Sequence, residues 1–306
     1  SHRVSPLPKL ISRGDTTVVD AYLSPILHRY IKQVMSGLGD VRLLFMQSNG
    51  GLVAAKQFRG KDCVLSGPAG GIVGASVIAG LAGFKKIIAF DMGGTSTDVA
   101  HYAGELERTT DTEISGIRIR TSMMAIHTVA AGGGSLLHFD GLRYRVGPES
   151  AGANPGPACY RRGGGLTVTD ANLMQLALKI GDKRNPEQVA EGFLSIAVEN
   201  MAAAIKKISV QKGYDLNDYA LCCYGAAGAQ HACKIAERLG IKTVLLHPFA
   251  GVLSAYGMGL ADFRVLHEQA LEQSWQTVSQ SDLNKHCQTL EQQGRNQLIA
   301  QGLNEQ

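Results

Sequence analysis

One segment constrains this chain more than any other: Phe90-Asp91-Met92-Gly93-Gly94-Thr95-Ser96-Thr97-Asp98-Val99. Ile87-Ile88-Ala89-Phe90 is an apolar strand that delivers a carboxylate at its end, and Asp98-Val99-Ala100-His101-Tyr102 reads as the returning strand. Between them two glycines let backbone N–H groups approach an anion with no Cβ in the way, and three consecutive hydroxyls add donors. A plain hairpin with a Gly-Gly turn accounts for Gly93 and Gly94. It does not account for acids at both ends of a hydroxyl-rich loop. The pattern predicts a phosphate loop, in which Asp91 faces a phosphate-bound Mg²⁺ and Asp98 holds the metal or orients a water.

A second segment, Cys222-Cys223-Tyr224-Gly225-Ala226-Ala227-Gly228-Ala229-Gln230-His231, takes a strand through a small-residue turn into a helix. That geometry suits a flat adenosine lying against backbone, and a helix N-terminus favours anions. Close strand–helix packing with no ligand explains the same residues equally well. Beside the acidic loop, the adenosine reading gains weight.

Other nucleotide and hydrolase signatures fail. The only Gly-Lys pair, Gly60-Lys61, is followed by Asp62, so there is no P-loop, and GxGxxG, GxSxG and HExxH are also missing. The net charge of +4 and the lack of basic runs with interleaved aromatics give nucleic-acid binding no support. Six cysteines show no zinc spacing, and the adjacent Cys222 and Cys223 in an apolar run predict buried thiols of a reducing compartment, with the cytoplasm expected. From Cys63 to Phe84 there are 22 residues without a charge, but Pro68 and six glycines point to a buried core helix and not to a membrane span.

Along the chain, helices are predicted at Asp15–Gly37, Ala69–Ala82, Thr169–Lys179, Pro186–Lys212, Ala229–Leu239, Gly251–Leu260 and Ser279–Ala300. Strands are predicted at Val41–Met46, Tyr219–Tyr224 and Thr243–Leu246, and short alternating segments between about residues 98 and 146 read as a β-meander. The Gly132-Gly133-Gly134 cluster reads as one of the turns in it. The last helix carries only a thin apolar stripe and is expected to pack on something outside the chain.

With these blocks in order, the chain resembles the hydantoinase A / 5-oxoprolinase family, ATP-dependent amidohydrolases of the actin-like ATPase superfamily. The matching blocks include Ser-Pro-Leu-Pro-Lys (5–9), Gln-Ser-Asn-Gly-Gly (47–51), Leu-Ser-Gly-Pro-Ala-Gly-Gly (65–71), the acidic loop (90–99), Ala-Gly-Gly-Gly-Ser (131–135), Gly-Pro-Glu-Ser-Ala-Gly-Ala (147–153), Pro-Gly-Pro-Ala-Cys-Tyr (155–160), Thr-Val-Thr-Asp-Ala-Asn (167–172) and Gly-Val-Leu-Ser-Ala-Tyr-Gly (251–257). Gln230-His231-Ala232-Cys233 and Tyr256 to Asp262 favour the 5-oxoprolinase side.

The resemblance implies an α/β fold, an actin/hexokinase-type (ribonuclease H-like) ATPase lobe with a mixed β-sheet flanked by helices. It divides the chain into a C-terminal remnant of a missing first lobe (1–65), a crossing helix (66–84), a second lobe with phosphate loop and adenosine turn (85–250), and a hinge helix with a helical tail (251–306). ATP and Mg²⁺ are the implied cofactors. Asp91 is the implied metal ligand, and Gly93, Gly94, Thr95, Thr97, Gly225 and Gly228 line the nucleotide. Asp91, Asp98, His127 and Asp170 are the catalytic candidates, although Asp170 is also an ordinary helix-cap type and His127 equally a core histidine. Cys159, in a Pro/Gly loop, is expected to be a small buried residue and not a reactive thiol. Ala226 and Ala229 stand where the family often has glycine, and the family's first phosphate loop is missing, so the chain is expected to be inactive alone.

The implied reaction is ATP-dependent opening of a cyclic amide, 5-oxoproline or a hydantoin, through phosphorylation of the amide oxygen. The implied partners are that substrate, the missing lobe and a hydantoinase B-like subunit or domain, with no nucleic acid and no membrane. The rivals are a sugar or acyl kinase, an ATP-dependent carboxylase subunit and a non-catalytic nucleotide-binding subunit.

Overall fold

Two prolines, Pro6 and Pro8, keep the first residues out of a helix, and α1 (Leu10–Leu38) opens behind them. The helix therefore starts earlier than the Asp15 start read from the sequence, and it runs through Pro25 to Gly39, whose φ of 68° suits glycine. The computed structural model describes residues 1–114, 116–172, 185–274 and 276–303. After α1 come β1 (Leu44–Met46) and β2 (Leu52–Ala54), an antiparallel pair closed by the Ser48–Gly51 turn. Phe45 stacks on Phe58 with ring centroids 5.0 Å apart, and Ile31, Val53, Ala55 and Phe58 form a small core. Next is α2 (Ser66–Leu81).

The remaining elements, in chain order, are β3 (Ile87–Met92), β4 (Thr97–Tyr102), β5 (Arg108–Ile114), β6 (Ile117–Met124), β7 (Ile126–Val129), β8 (Ser135–Phe139), β9 (Tyr144–Ser150), α3 (Pro186–Ile208), β10 (Ala220–Tyr224), α4 (Ala232–Leu239), β11 (Thr243–Leu246), α5 (Leu253–Leu260) and α6 (Gln280–Ile299). The expected meander resolves differently. β3, β4 and β7 are consecutive neighbours in a five-stranded sheet of order β11-β10-β3-β4-β7, while β5–β6 and β8–β9 form separate antiparallel hairpins. β11, β10 and β3 run parallel, and β4 and β7 are antiparallel to their neighbours, so the sheet is mixed. Of the predicted Thr169–Lys179 helix, Thr169–Asn172 is a 3₁₀ turn and the rest lies outside the described residues.

The chain forms two units, drawn differently from four consecutive segments. One comprises Ser1–Gly70, Arg108–Met124 and Met258–Gln306, and the other Gly71–Glu107 and Ala125–Gly257. Residues 1–65 thus share a unit with the β5–β6 hairpin and the C-terminal helix. In that unit the end of α6 is tied to β2, because Gln301 Oε1 accepts the Ala54 N–H at 3.0 Å. The tail therefore packs on this chain, at least at its last turn.

In the second unit, strand alternation sorts the sheet residues onto two faces. Ile88, Phe90, Val99, Leu221 and Cys223 join Phe193, Ala197, Met201 and Ile205 of α3 and Ile235 of α4 in one buried core. Each such large apolar side chain contributes about 1.5–3 kcal/mol. α3 starts on a reciprocal cap: Asn185 Oδ1 accepts the Gln188 N–H at 2.8 Å, and Gln188 Oε1 accepts the Asn185 N–H at 3.1 Å. The opposite face carries Asp91, Asp98 and Tyr224.

Candidate functional site

The β3–β4 turn is held at its base by the Gly93 N–H, which donates to the Ser96 carbonyl at 3.1 Å. Asp91 and Asp98 are direct partners across the two strands, so their carboxylates project from the same face. Burial first, and then the like charge of Asp98, push the Asp91 carboxyl up to about 6, against a hydrogen bond from Ser254. Burial also raises Asp98, against a hydrogen bond from Thr128, its partner on β7. At the tip Gly94 and Thr95 are exposed, and a Cβ added to Gly94 would meet nothing within 4 Å.

The glycine triplet that reads as a turn in the sequence is the backing of this loop. Gly133 N–H donates to the Gly93 carbonyl at 3.0 Å, and Gly134 N–H donates to the Gly94 carbonyl at 2.6 Å. A Cβ on Gly132 would lie 2.5 Å from the Gly94 carbonyl oxygen. Thr169 anchors the triplet from behind, its N–H and hydroxyl both donating to the Gly133 carbonyl at 2.8 Å.

The turn after β10 reaches the same place. Gly225 has φ +84°, and a Cβ there would lie 2.4 Å from Asp91 Oδ1. The Ala227 N–H donates to the Met92 carbonyl at 3.0 Å. Gly228 is buried, and a Cβ on it would strike Cys223 Sγ at 2.7 Å, so it serves strand–helix packing. Ala226 and Ala229 are exposed. On the acid face, α2 and α5 cross closely: a Cβ on Gly74 would stand 3.0 Å from the Leu253 carbonyl and 3.2 Å from Gly257 Cα.

Three expected site residues take other positions. Thr97 is fully buried and donates its hydroxyl to the Ala131 carbonyl, so it fastens the loop and presents nothing to a phosphate. His127 pairs with Val99, which places it on the sheet face opposite Asp91 and Asp98; burial and then Lys207 lower its pKa. Asp170 is fully buried and spends both oxygens on its own loop. It accepts Ala158 N–H (2.8 Å), Cys159 N–H (2.8 Å), Thr167 N–H (2.9 Å) and the Thr167 hydroxyl (2.9 Å). Burial pushes its carboxyl up, but the hydrogen bonds from Cys159, Thr167 and Ala158 outweigh that and hold it below the ordinary value. The hydrogen bond to Asp170 raises the Cys159 thiol, which is exposed and not buried as expected, and burial pushes Cys222 and Cys223 up to about 12, as expected of buried thiols.

The residues present fit a nucleotide-bound Mg²⁺ better than a metal held by protein alone. Among the described residues no three His, Cys, Asp or Glu converge on a point. Mg²⁺ on phosphates needs only one or two carboxylates and keeps its waters. Asp91 and Asp98 supply two. Among the described residues, no helix is long and apolar enough to cross a membrane.

A mixed sheet flanked by helices, with a glycine- and hydroxyl-rich turn between two acid-bearing strands, defines a lobe of the actin/hexokinase architecture. Within that class the chain belongs to the hydantoinase/oxoprolinase family, which it matches over residues 13–175 and 174–267. It is 44% identical to 5-oxoprolinase 1 of Arabidopsis thaliana over 86% of the chain and 24% of that protein. Against 5-oxoprolinase of Dictyostelium discoideum it is 39% identical over 100% of the chain and 29% of that protein. The crystal structure of the ATP-dependent caprolactamase from Pseudomonas jessenii superposes with a TM-score of 0.86 at 32% identity, covering 99% of this chain and 49% of that one. A nucleotide-free acetone carboxylase shares the fold, with a TM-score of 0.79 at 23% identity. The chain thus spans about a quarter of the length of the 5-oxoprolinases it matches.

Proposed function

We propose that the protein containing this chain couples ATP hydrolysis to the opening of a cyclic amide of the 5-oxoproline or hydantoin type. The observation that carries the reading is the pair of opposed carboxylates, Asp91 and Asp98, flanking an exposed Gly94-Thr95 tip that a glycine triplet holds in place. Backbone N–H groups at the tip and the Thr95 hydroxyl would donate to phosphate oxygens, and the turn from Gly225 lies against Asp91, where the nucleoside would rest.

In the proposed reaction the terminal phosphoryl of ATP passes to the amide oxygen, with ADP leaving. The activated carbon then takes up water, the ring C–N bond breaks, and phosphate departs. Mg²⁺, held by Asp91 with Asp98 beside it, would supply charge neutralisation on the phosphates. The chain's own contribution is positioning: it fixes the loop, orients the phosphates and shields them on one side. Asp170 acts through the 158–159 loop and Thr97 through the loop base, as positioning residues.

The relatives support a reaction by a larger protein. This chain covers 48% of the caprolactamase subunit alpha of Pseudomonas jessenii, whose name implies a further subunit. A hydantoinase B-like partner and a further lobe completing the nucleotide site are part of the proposal. The test is ATP hydrolysis by the full protein with 5-oxoproline, caprolactam, hydantoin or bicarbonate added singly. ADP release that depends on a lactam supports the reading. Dependence on bicarbonate would make it a carboxylase, and nucleotide binding without any turnover would make it a non-catalytic subunit.

A further inference from the structure

His231 closes the turn that follows β10, and it is buried, with 4% of its surface exposed. Its Nε2 has no hydrogen-bond partner among the described residues. A buried polar nitrogen without a partner is uncommon, and leaving it so costs the fold its desolvation. The ring is nevertheless held where it is by the backbone on either side. The His231 N–H donates to the Gly228 carbonyl at 3.0 Å, and the His231 carbonyl accepts the Ile235 N–H at 3.0 Å. One residue thus joins the turn to the first turn of α4, whose Ala232, Ile235 and Ala236 are buried in the core. It stands at the N-cap position of that helix, but its side chain bonds none of the free N–H groups there.

The charges near this ring oppose a proton. The start of α4 is the positive end of the helix dipole, and Lys234 bears on the imidazole from the same helix. β10 offers the thiols of Cys222 and Cys223 and the Tyr224 phenol, all held neutral by burial. Thr243–Leu246 of β11 carries no ionisable side chain. The carboxylates of α4 and of α3, which packs on it, are Glu237, Glu187, Glu191 and Glu199. All four are exposed, and Glu199 is taken by Arg238. Lys206 and Lys207, at the end of α3, are exposed too and add the same sign as Lys234. Burial first, and then Lys234, lower the His231 pKa.

We propose that His231 is an acid-sensitive catch on the turn after β10: neutral, it closes the start of α4, and once protonated it leaves its site for water and opens Gly228–Ile235 with it. The same turn is fastened elsewhere by the Gly225 N–H to the Ala250 carbonyl and the Ala227 N–H to the Met92 carbonyl, both at 3.0 Å. Opening at His231 therefore pulls on residues next to Gly93. An ordinary imidazole titrates at ~6.5, and the folded value lies below that. The neutral ring's contribution is complete above about pH 6.5 and is lost as pH falls from there through the folded value. The catch stands on the fold alone. Its consequence for a ligand rests on the reading that a nucleoside lies on this turn: acid would then loosen the nucleoside end of the site, separately from Asp91, whose carboxyl titrates at about 6.

The experiment is amide hydrogen exchange of the full protein without nucleotide, between about pH 7.5 and 5.5, on wild type and His231→Leu. Rates are corrected for the intrinsic pH dependence of exchange. Protection of the amides from Gly228 to Ile235 is expected to fall about ten-fold in wild type at about pH 5.5, one unit below the ordinary imidazole value. It should stay level in His231→Leu, which fills the site with an apolar side chain and has no proton to take up. If His231→Leu does not fold, His231→Gln carries the same test. Protection that falls equally in wild type and variant overturns the proposal, and so does protection that stays level in wild type. Mg·ATP titrations over the same range separate the second claim. Both proteins should lose affinity as Asp91 protonates, and wild type should lose up to about ten-fold more. Protection lost in wild type alone, with identical Mg·ATP curves, upholds the catch and overturns the placing of the nucleoside on this turn.

Discussion

Gly132→Ala tests the loop-and-backing arrangement most directly. The new methyl would sit 2.5 Å from the Gly94 carbonyl oxygen, 2.6 Å from the Gly94 carbonyl carbon and 2.7 Å from the Thr95 carbonyl carbon. Ordinary contact begins at 3.4 Å, so the shortfall is 3.4 − 2.5 = 0.9 Å. All three atoms are backbone, and no side chain can swing aside. Either the 93–95 tip or the 132–134 segment must shift by that distance, breaking the Gly133–Gly93 and Gly134–Gly94 hydrogen bonds. Two such bonds at about 1 kcal/mol each and overpacking strain of about 1–3 kcal/mol give a loss of roughly 3–5 kcal/mol. A 1 Å displacement of a positioning element also costs about 10²-fold in rate.

The matched variant is Gly94→Ala, whose methyl would meet nothing within 4 Å. It should leave stability within about 0.5 kcal/mol of wild type, and place a carbon where a phosphate oxygen would come. Urea unfolding of the chain, with nucleotide binding and lactam-dependent ATPase of the full protein, reads both. Gly132→Ala should lose stability and nucleotide together, and Gly94→Ala nucleotide only. A Gly132→Ala protein as stable as wild type refutes the packing argument. A Gly94→Ala protein that binds Mg·ATP normally refutes the phosphate-loop assignment.

Asp91→Asn should weaken Mg·ATP by at least ten-fold without lowering the melting temperature of the ligand-free chain; unchanged Mg·ATP affinity would remove Asp91 from the metal site. Asp170→Asn should cost about 2–4 kcal/mol in urea unfolding near neutral pH, because an amide nitrogen then faces buried N–H donors. The Asp170 carboxyl titrates below its unfolded value of ~3.9, so its contribution is present above that pH and lost as pH falls through the folded value. The gap between variant and wild type should therefore narrow below about pH 4, and a pH-independent gap would contradict the charged role. Gly74→Val should destabilise the α2–α5 crossing by about 1–3 kcal/mol; a neutral result in thermal melts would mean the helices separate freely there.

The parts of the site that could be read in advance are those whose signal is local. An apolar run, an acid, two glycines and a second acid within ten residues dictate a strand, a turn and a returning strand with no help from elsewhere. The same holds for the small-residue turn after β10. What escaped was everything decided by register or by contact between distant segments. His127 lies on a strand as expected, but its face is set by pairing with Val99, and that parity depends on where β7 joins β4. Gly132 to Gly134 look like any flexible turn until the Gly94 carbonyl is seen against them. Asp170 does accept backbone N–H groups, and those of Ala158, Cys159 and Thr167 all precede it in the chain. The hairpin at Arg108–Met124 alternates like its neighbours, so no local pattern distinguishes it from a strand of the main sheet.

The acid pair is a place in this unit where folding alone gives a poor account of the residues chosen. Phe90 and Val99, one position away, are fully buried against the helices of the other face. Asp91 and Asp98 are instead half-buried, opposed across two strands, and both shifted upward by burial, with Asp91 also raised by its neighbour's charge. Their partners are the hydroxyls of Ser254 and Thr128, which soften the repulsion without cancelling it. A pair of alanines or asparagines would serve the sheet better. Local violations of folding preference concentrate where a ligand reverses the sign of the interaction. A divalent cation carried on a polyphosphate is such a ligand: beside it, the same two carboxylates turn from mutual repulsion to shared attraction. The exposed Gly94-Thr95 tip next to them is where the polyphosphate itself would lie.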